Sequence, residues 1–197
     1  MKNVLSLLKP EEIKKVKFKK VGKNEILFHE DDFCEQIGIV VTGEIIIFSI
    51  SIKGNDLVYN VLKSGEIFGN NLVFSSKPCF RGNVLAREDS EVALIKKDVL
   101  LSFLSNNEQF LKEYLSIQSN FGLEVNLKLK MLSLSDAEER FMYYLKIRGN
   151  EIKFKNVTAL SKEIFLSRET LSRLISKLIK KHVILRKDNY IKVLWLI

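Results

Sequence analysis

The alternation of apolar and polar positions changes rhythm once along the chain. Up to about residue 106, apolar residues come in short β-branched runs at 37–41, 44–52, 57–62, 83–86 and 91–95. Between them stand turn signals: Thr42-Gly43, Lys53-Gly54-Asn55-Asp56 and Ser64-Gly65-Glu66. Such runs predict strands, and their even spacing predicts a small antiparallel barrel or jelly roll. Pro10-Glu11-Glu12 reads as the first turn of a short helix, with proline near the start and acids at the positive end of the dipole. Eight of the nine glycines lie by position 122, which marks the change of texture.

From about 107 to 134 the period becomes helical. Leu111, Leu115, Gln118, Gly122, Val125, Leu129 and Leu132 step alternately by four and three, a heptad seam. Phe110, Tyr114, Ile117 and Phe121 form a second stripe beside it. A helix apolar on two adjacent stripes is expected to pack its own domain with one and its copy in a dimer with the other. Gly122 costs such a helix about 1 kcal/mol relative to alanine; it leaves room for a close helix approach or for a ligand. Ser133-Leu134-Ser135-Asp136 offers N-caps for a new helix ending near Ile147, before Gly149-Asn150. The expected organisation is a β-domain at 1–106, a dimerisation helix and hinge at 107–135, and a third domain at 136–197.

That third domain carries the chemistry. Leu160 and Ile164 share one face of a short helix, Leu166 bridges a turn, and Ser167 caps a second helix burying Leu171, Leu174, Ile175 and Leu178. This is helix-turn-helix patterning, which leaves Arg168, Glu169, Ser172 and Arg173 outward in the first turns of the second helix. An arginine fork there matches the guanine acceptors, and a carboxylate accepts from cytosine. Ser167, Thr170 and the helix N-terminus suit phosphate. Residues 152–154 are extended, and 185–197 complete the unit: Asp188-Asn189 is a tight turn between apolar runs, predicting a hairpin wing. Lys180, Lys181, Arg186, Lys187 and Lys192 are then phosphate contacts.

Charge supports this division. The 197 residues carry 32 Lys and Arg against 24 Asp and Glu, a formal +8. Residues 1–135 hold 18 basic and 17 acidic side chains, whereas 136–197 hold 14 and 7, so the excess lies almost wholly in the last third. A compact basic segment on a near-neutral body is the footprint of a polyanion binder. No apolar run approaches the roughly 20 residues of a membrane span, and two Cys make no disulfide scaffold. A cytoplasmic location follows as the expectation.

A glycine-punctuated β-domain, a long helix and a winged helix-turn-helix carrying Ser167-Arg168-Glu169-Thr170-Leu171-Ser172-Arg173 together resemble the Crp/Fnr family of bacterial transcription regulators. Val41-Thr42-Gly43, Gly65-Glu66-Ile67-Phe68-Gly69 and Arg140 match the family further. The fold implied is α+β, with a cyclic-nucleotide-binding-like β-domain. The resemblance implies a homodimer on a pseudo-palindromic site with a TGTGA-like or TTGAT-like half, read by Arg168, Glu169 and Arg173. It implies double-stranded DNA as partner, RNA polymerase too for an activator, and no catalysis. Phe165 departs from the family, whose turn usually holds glycine; a bulky residue there shifts the helix–helix angle or fills a local gap.

The effector region departs more. The family's cyclic-nucleotide cassette has a Gly-Glu pair and, a loop later, Arg followed by a small hydroxyl residue. Here Gly69 and Arg81 are kept, but the partners are Asn70 and Gly82, and the loop is one residue longer. Val125 and Asn126 stand where cyclic-AMP sensors carry a Thr-Ser pair. Together these argue against ordinary cyclic-AMP recognition; no cofactor is expected, and the effector stays open, with Arg81 an anion ligand or a carboxylate's partner. Cys34 and Cys79 are too few for an iron–sulfur cluster. They form a redox pair only if the barrel brings them together, and otherwise two free thiols. His29 reads as structural rather than a haem ligand. A cupin-type enzyme needs several converging His, and this β-domain has His29 alone. A cyclic-nucleotide-binding-like module acting on a protein partner is the alternative reading, opposed by the helix-turn-helix and its basic wing.

Overall fold

A computed structural model of the chain describes residues 4–52, 54 and 56–194; Lys53 and Asn55 of the expected turn, and residues 195–197 of the expected wing unit, lie outside the described residues. After a 3-10 turn at Val4–Leu7 the elements run α1 (Pro10–Ile13), β1 (Lys17–Val21), β2 (Ile26–Phe28), β3 (Gln36–Thr42), β4 (Glu44–Ile50), β5 (Asp56–Lys63), β6 (Ile67–Phe68), β7 (Asn83–Ala86) and β8 (Ser90–Lys96). There follow α2 (Lys97–Asn106), α3 (Glu108–Ser133), α4 (Ala137–Ile147), β9 (Glu151–Lys153), α5 (Val157–Glu163), α6 (Arg168–Lys180), β10 (Ile184–Lys187) and β11 (Tyr190–Val193). The chain divides into two compact units, residues 1–119 and 120–197.

In the first unit two antiparallel four-stranded sheets, ordered β1-β8-β3-β6 and β2-β7-β4-β5, share one core. Ile37, Ile39, Ile45, Val84, Val92 and Ile95 are all fully buried there. Gly38 is required in β3 because a Cβ would stand 1.9 Å from the Phe68 ring. Asn107 opens α3: its Oδ1 accepts from the Phe110 amide at 3.0 Å, while its Nδ2 donates to Leu7 O and to buried Glu12. Phe110, Tyr114 and Ile117 then bury in the first core. Phe121, expected on the same stripe, is 42% exposed instead.

In the second unit the end of α3 joins a separate core through Met131 and Leu127, together with Phe141, Leu145, Leu160, Ile164, Leu171 and Leu178. Asp136 caps α4, accepting from the Glu139 amide at 2.7 Å. The wing hairpin β10–β11 carries β9 on its outer edge, so the extended segment after α4 is the third strand of the wing sheet. Among the described residues no helix is long and apolar enough to cross a membrane.

Candidate nucleic-acid interface

The helix pair α5–α6 is built as its pattern predicts. Asn156 caps α5 by accepting from the Ala159 amide at 2.8 Å, and Ser167 caps α6 by accepting from the Thr170 amide at 3.0 Å. Leu171, Leu174, Ile175 and Leu178 bury one side of α6. The other side leaves Arg168, Glu169, Ser172 and Arg173 exposed. The Glu169 carboxyl is held below its ordinary pKa by a backbone hydrogen bond at the helix start, by the Ser167 hydroxyl and by the charges of Arg168 and Arg173. It therefore stays ionised at neutral pH and acts only as an acceptor. Removing the cap by Ser167→Ala is expected to destabilise the second unit by about 0.5–2 kcal/mol, read as a lower urea midpoint at unchanged slope.

The basic residues around α6 and the wing differ in how far they are already paired. Ser172, Arg173, Ser176, Lys177, Lys180 and Lys181 line one shallow groove along α6. Lys187 is also exposed, at the tip of the wing. Two lysines are partly committed: Lys177 of the groove pairs with Glu138 at 2.7 Å, and Lys192 lies 3.8 Å from Glu151. Arg186 donates to Asp188 O and lies over the Phe154 ring, which fixes the hairpin. Thr170 faces the same helix start, with its hydroxyl 2.9 Å from that of Ser167.

Phe165 corrects one expectation. It fills no gap, being 40% exposed, and instead adopts the glycine-like conformation of the turn, with φ +56°. A side chain there costs roughly 1–2 kcal/mol. Its carbonyl accepts from Arg140 Nη1 at 2.9 Å.

In the β-domain, the side chain of Asn70 is buried and occupied. Its Nδ2 donates to Gln118 Oε1 at 2.7 Å, and the main-chain carbonyl of Asn70 accepts from Gln118 Nε2 at 2.7 Å and from the Tyr114 hydroxyl. Gln118, read in the sequence as a seam position, thus turns inward to hold the loop after Gly69. Gly82 has no space for the family's hydroxyl residue: a Cβ would stand 2.8 Å from Phe48 O. Arg81 is exposed, without a hydrogen bond or ion pair among the described residues. Gly69, Asn70, Arg81 and Gly82 belong to the first unit, and Val125 and Asn126 to the second. Gly122 has open space around it. On the seam, Leu115, Val125, Leu129 and Leu132 are exposed by 53, 38, 59 and 53%.

Both cysteines are free thiols. Phe33 and Cys79 form an isolated antiparallel bridge, which brings the two cysteine-bearing segments together. Burial pushes the Cys34 thiol up to about 11. At pH 8 only about one Cys34 in a thousand is a thiolate, so iodoacetamide is expected to spare it and alkylate half-buried Cys79 first. Intact mass should show one adduct on the native protein and a second after unfolding; labelling of Cys34 at pH 8 at a free thiol's rate would contradict this.

A family model described as a cyclic nucleotide-binding domain matches residues 18–107. The anaerobic regulatory protein of Bacillus subtilis is 25% identical over 178 residues, spanning 84% of this chain and 74% of that protein. The crystal structure of a transcriptional regulator from Thermotoga maritima is 30% identical, covering 62% of this chain and 95% of its own, with a TM-score of 0.57. The catabolite activator protein of Thermus thermophilus shares the fold over 97% of this chain and 93% of its own, at 20% identity and a TM-score of 0.59.

Proposed function

The chain belongs to the Crp/Fnr family of bacterial transcription regulators, and from that premise we propose that it acts as a homodimer that reads a pseudo-palindromic DNA operator through α6. The observation that carries this is the division of α6 into a wholly buried apolar side and an exposed side bearing Arg168, Glu169, Ser172 and Arg173 in its first turns. The arginines match guanine acceptors in the major groove, and ionised Glu169 accepts from cytosine N4. Ser167 and Thr170 at the helix start, with Lys180, Lys181 and Lys187, serve phosphates. The exposed seam of Leu115, Val125, Leu129 and Leu132 supplies the dimer face. Arg186 acts by rigidifying the wing as much as by touching phosphate.

Control by a small effector other than cyclic AMP belongs to the same reading. The amide of Asn70 is already spent on Gln118, and the crowding of Gly82 excludes a hydroxyl side chain beside Arg81. Arg81 remains the available anion ligand.

The test is selection of binding duplexes from a random pool, followed by anisotropy against salt. A specific operator should emerge with a two-fold repeat, half-sites about 10–10.5 base pairs apart or a multiple of that, and affinity roughly 10³-fold or more above random DNA. A pool that stays unenriched would overturn the proposal and favour a module that acts on a protein partner.

A further inference from the structure

We propose that Arg140 and Tyr144 of α4 are positioning residues that set the pose of α6 by gripping the turn in front of it. They stand four residues apart and so share one helix face. Arg140 spends its guanidinium on backbone carbonyls: Nε, at 3.2 Å, and Nη2 donate to Leu134 O, and Nη1 donates to Phe165 O at 2.9 Å. No carboxylate pairs with it among the described residues; the neighbouring Glu138 is bound to Lys177. Tyr144, 6% exposed, donates to Glu163 Oε2 at 2.6 Å, at the end of α5. The guanidinium of Arg148, one turn further, lies 5.5 Å from the centre of the Tyr144 ring and reaches Glu124 of α3 at 3.7 Å.

The stripe Arg140, Tyr144, Arg148 therefore ties α3 and the hinge on one side to Glu163 and Phe165 on the other. These last two residues bracket the point where the chain changes direction. α6 begins three residues after Phe165, so the φ of Phe165 aims the helix. A glycine would hold that φ unaided; a phenylalanine held there needs an external brace, and the Arg140 clamp supplies it. The bidentate grip on Leu134 O makes the brace directional, since a planar guanidinium fixes the angle between the carbonyls it joins.

This rests on the operator reading above, and its test separates the two. The probes are the duplex selected by the wild-type protein and two versions with the half-site separation lengthened or shortened by one base pair. One base pair turns a half-site by about 34°, which a rigidly posed pair of helices rejects. The wild type should prefer its selected spacing by about tenfold or more. Arg140→Gln should reduce that preference to about threefold or less, with random-DNA binding unchanged. Tyr144→Phe, which keeps the buried ring and so keeps the fold should the first variant lose it, should shift the preference the same way by a smaller factor. A merely structural role lowers binding to all three duplexes by one common factor. That result, or full retention of the preference in Tyr144→Phe and in a folded Arg140→Gln, overturns the proposal and leaves the operator reading standing. A wild type without any preferred duplex overturns both.

Discussion

Leu129→Glu is expected to yield a folded monomer whose affinity for the operator falls by about 10²–10⁴-fold, because the two half-sites are no longer held by one molecule. Leu129 is 59% exposed and continues a seam with Val125 and Leu132, so its side chain contributes little inside one protomer. The grip of this end of α3 on the second unit comes from Leu127 and Met131, on the far side of the helix. Burying a leucine fully in a partner is worth roughly 1.5–3 kcal/mol, and a two-fold axis counts it twice. Glutamate removes that gain and places two like charges where the helices meet. Sedimentation should report half the wild-type mass, with circular dichroism and melting of the protomer little changed. A variant that remains a dimer would move the interface to another surface.

Most of the second unit was legible because its determinants are local. The period of Leu160, Ile164, Leu171, Leu174 and Leu178, and the caps at Asp136 and Ser167, are set within a turn or two of chain. The long helix was legible for the same reason, to within a residue at each end. What the sequence did not disclose depends on distant partners. The strand β1 is lysine-rich and becomes a strand through its pairing with β8, some seventy residues on. The strands β2 and β6, three and two residues long, have no pattern of their own. The helix α2 follows β8 without a breaker, so its Leu100 and Phe103 looked like more of the same apolar texture. At the site, the family resemblance singled out Arg140 but not its work, since it binds carbonyls 6 and 25 residues away. Nor did a heptad count reveal that Gln118 faces Asn70, because amphipathic spacing says which residues are apolar and not which amide finds which partner. For Phe165 the gap-filling alternative fails for a related reason: bulk suggests filling, whereas the backbone at a turn decides where the side chain goes.

Arg173→Ala is expected to cost about 1–3 kcal/mol of specific binding, roughly 5- to 150-fold, while random-DNA affinity falls only slightly. Arg173 is exposed in the second turn of α6, beside the helix start, and the side chains around it in the groove are Ser172, Ser176 and lysines. Among these it alone presents the planar fork that pairs with guanine O6 and N7. Lys187→Ala is the matched control. It removes one charge at the wing tip, and its effect should be near equal on operator and random duplexes, with the slope of log K against log salt reduced by about one. The two variants thus separate reading from holding. If Arg173→Ala weakened both duplexes equally, Arg173 would be a phosphate contact and the base reading would fall to Arg168 and Glu169. If Lys187→Ala instead acted on the operator alone, the wing would have to reach base edges, which the exposed hairpin could do only by entering a groove beside the one occupied by α6.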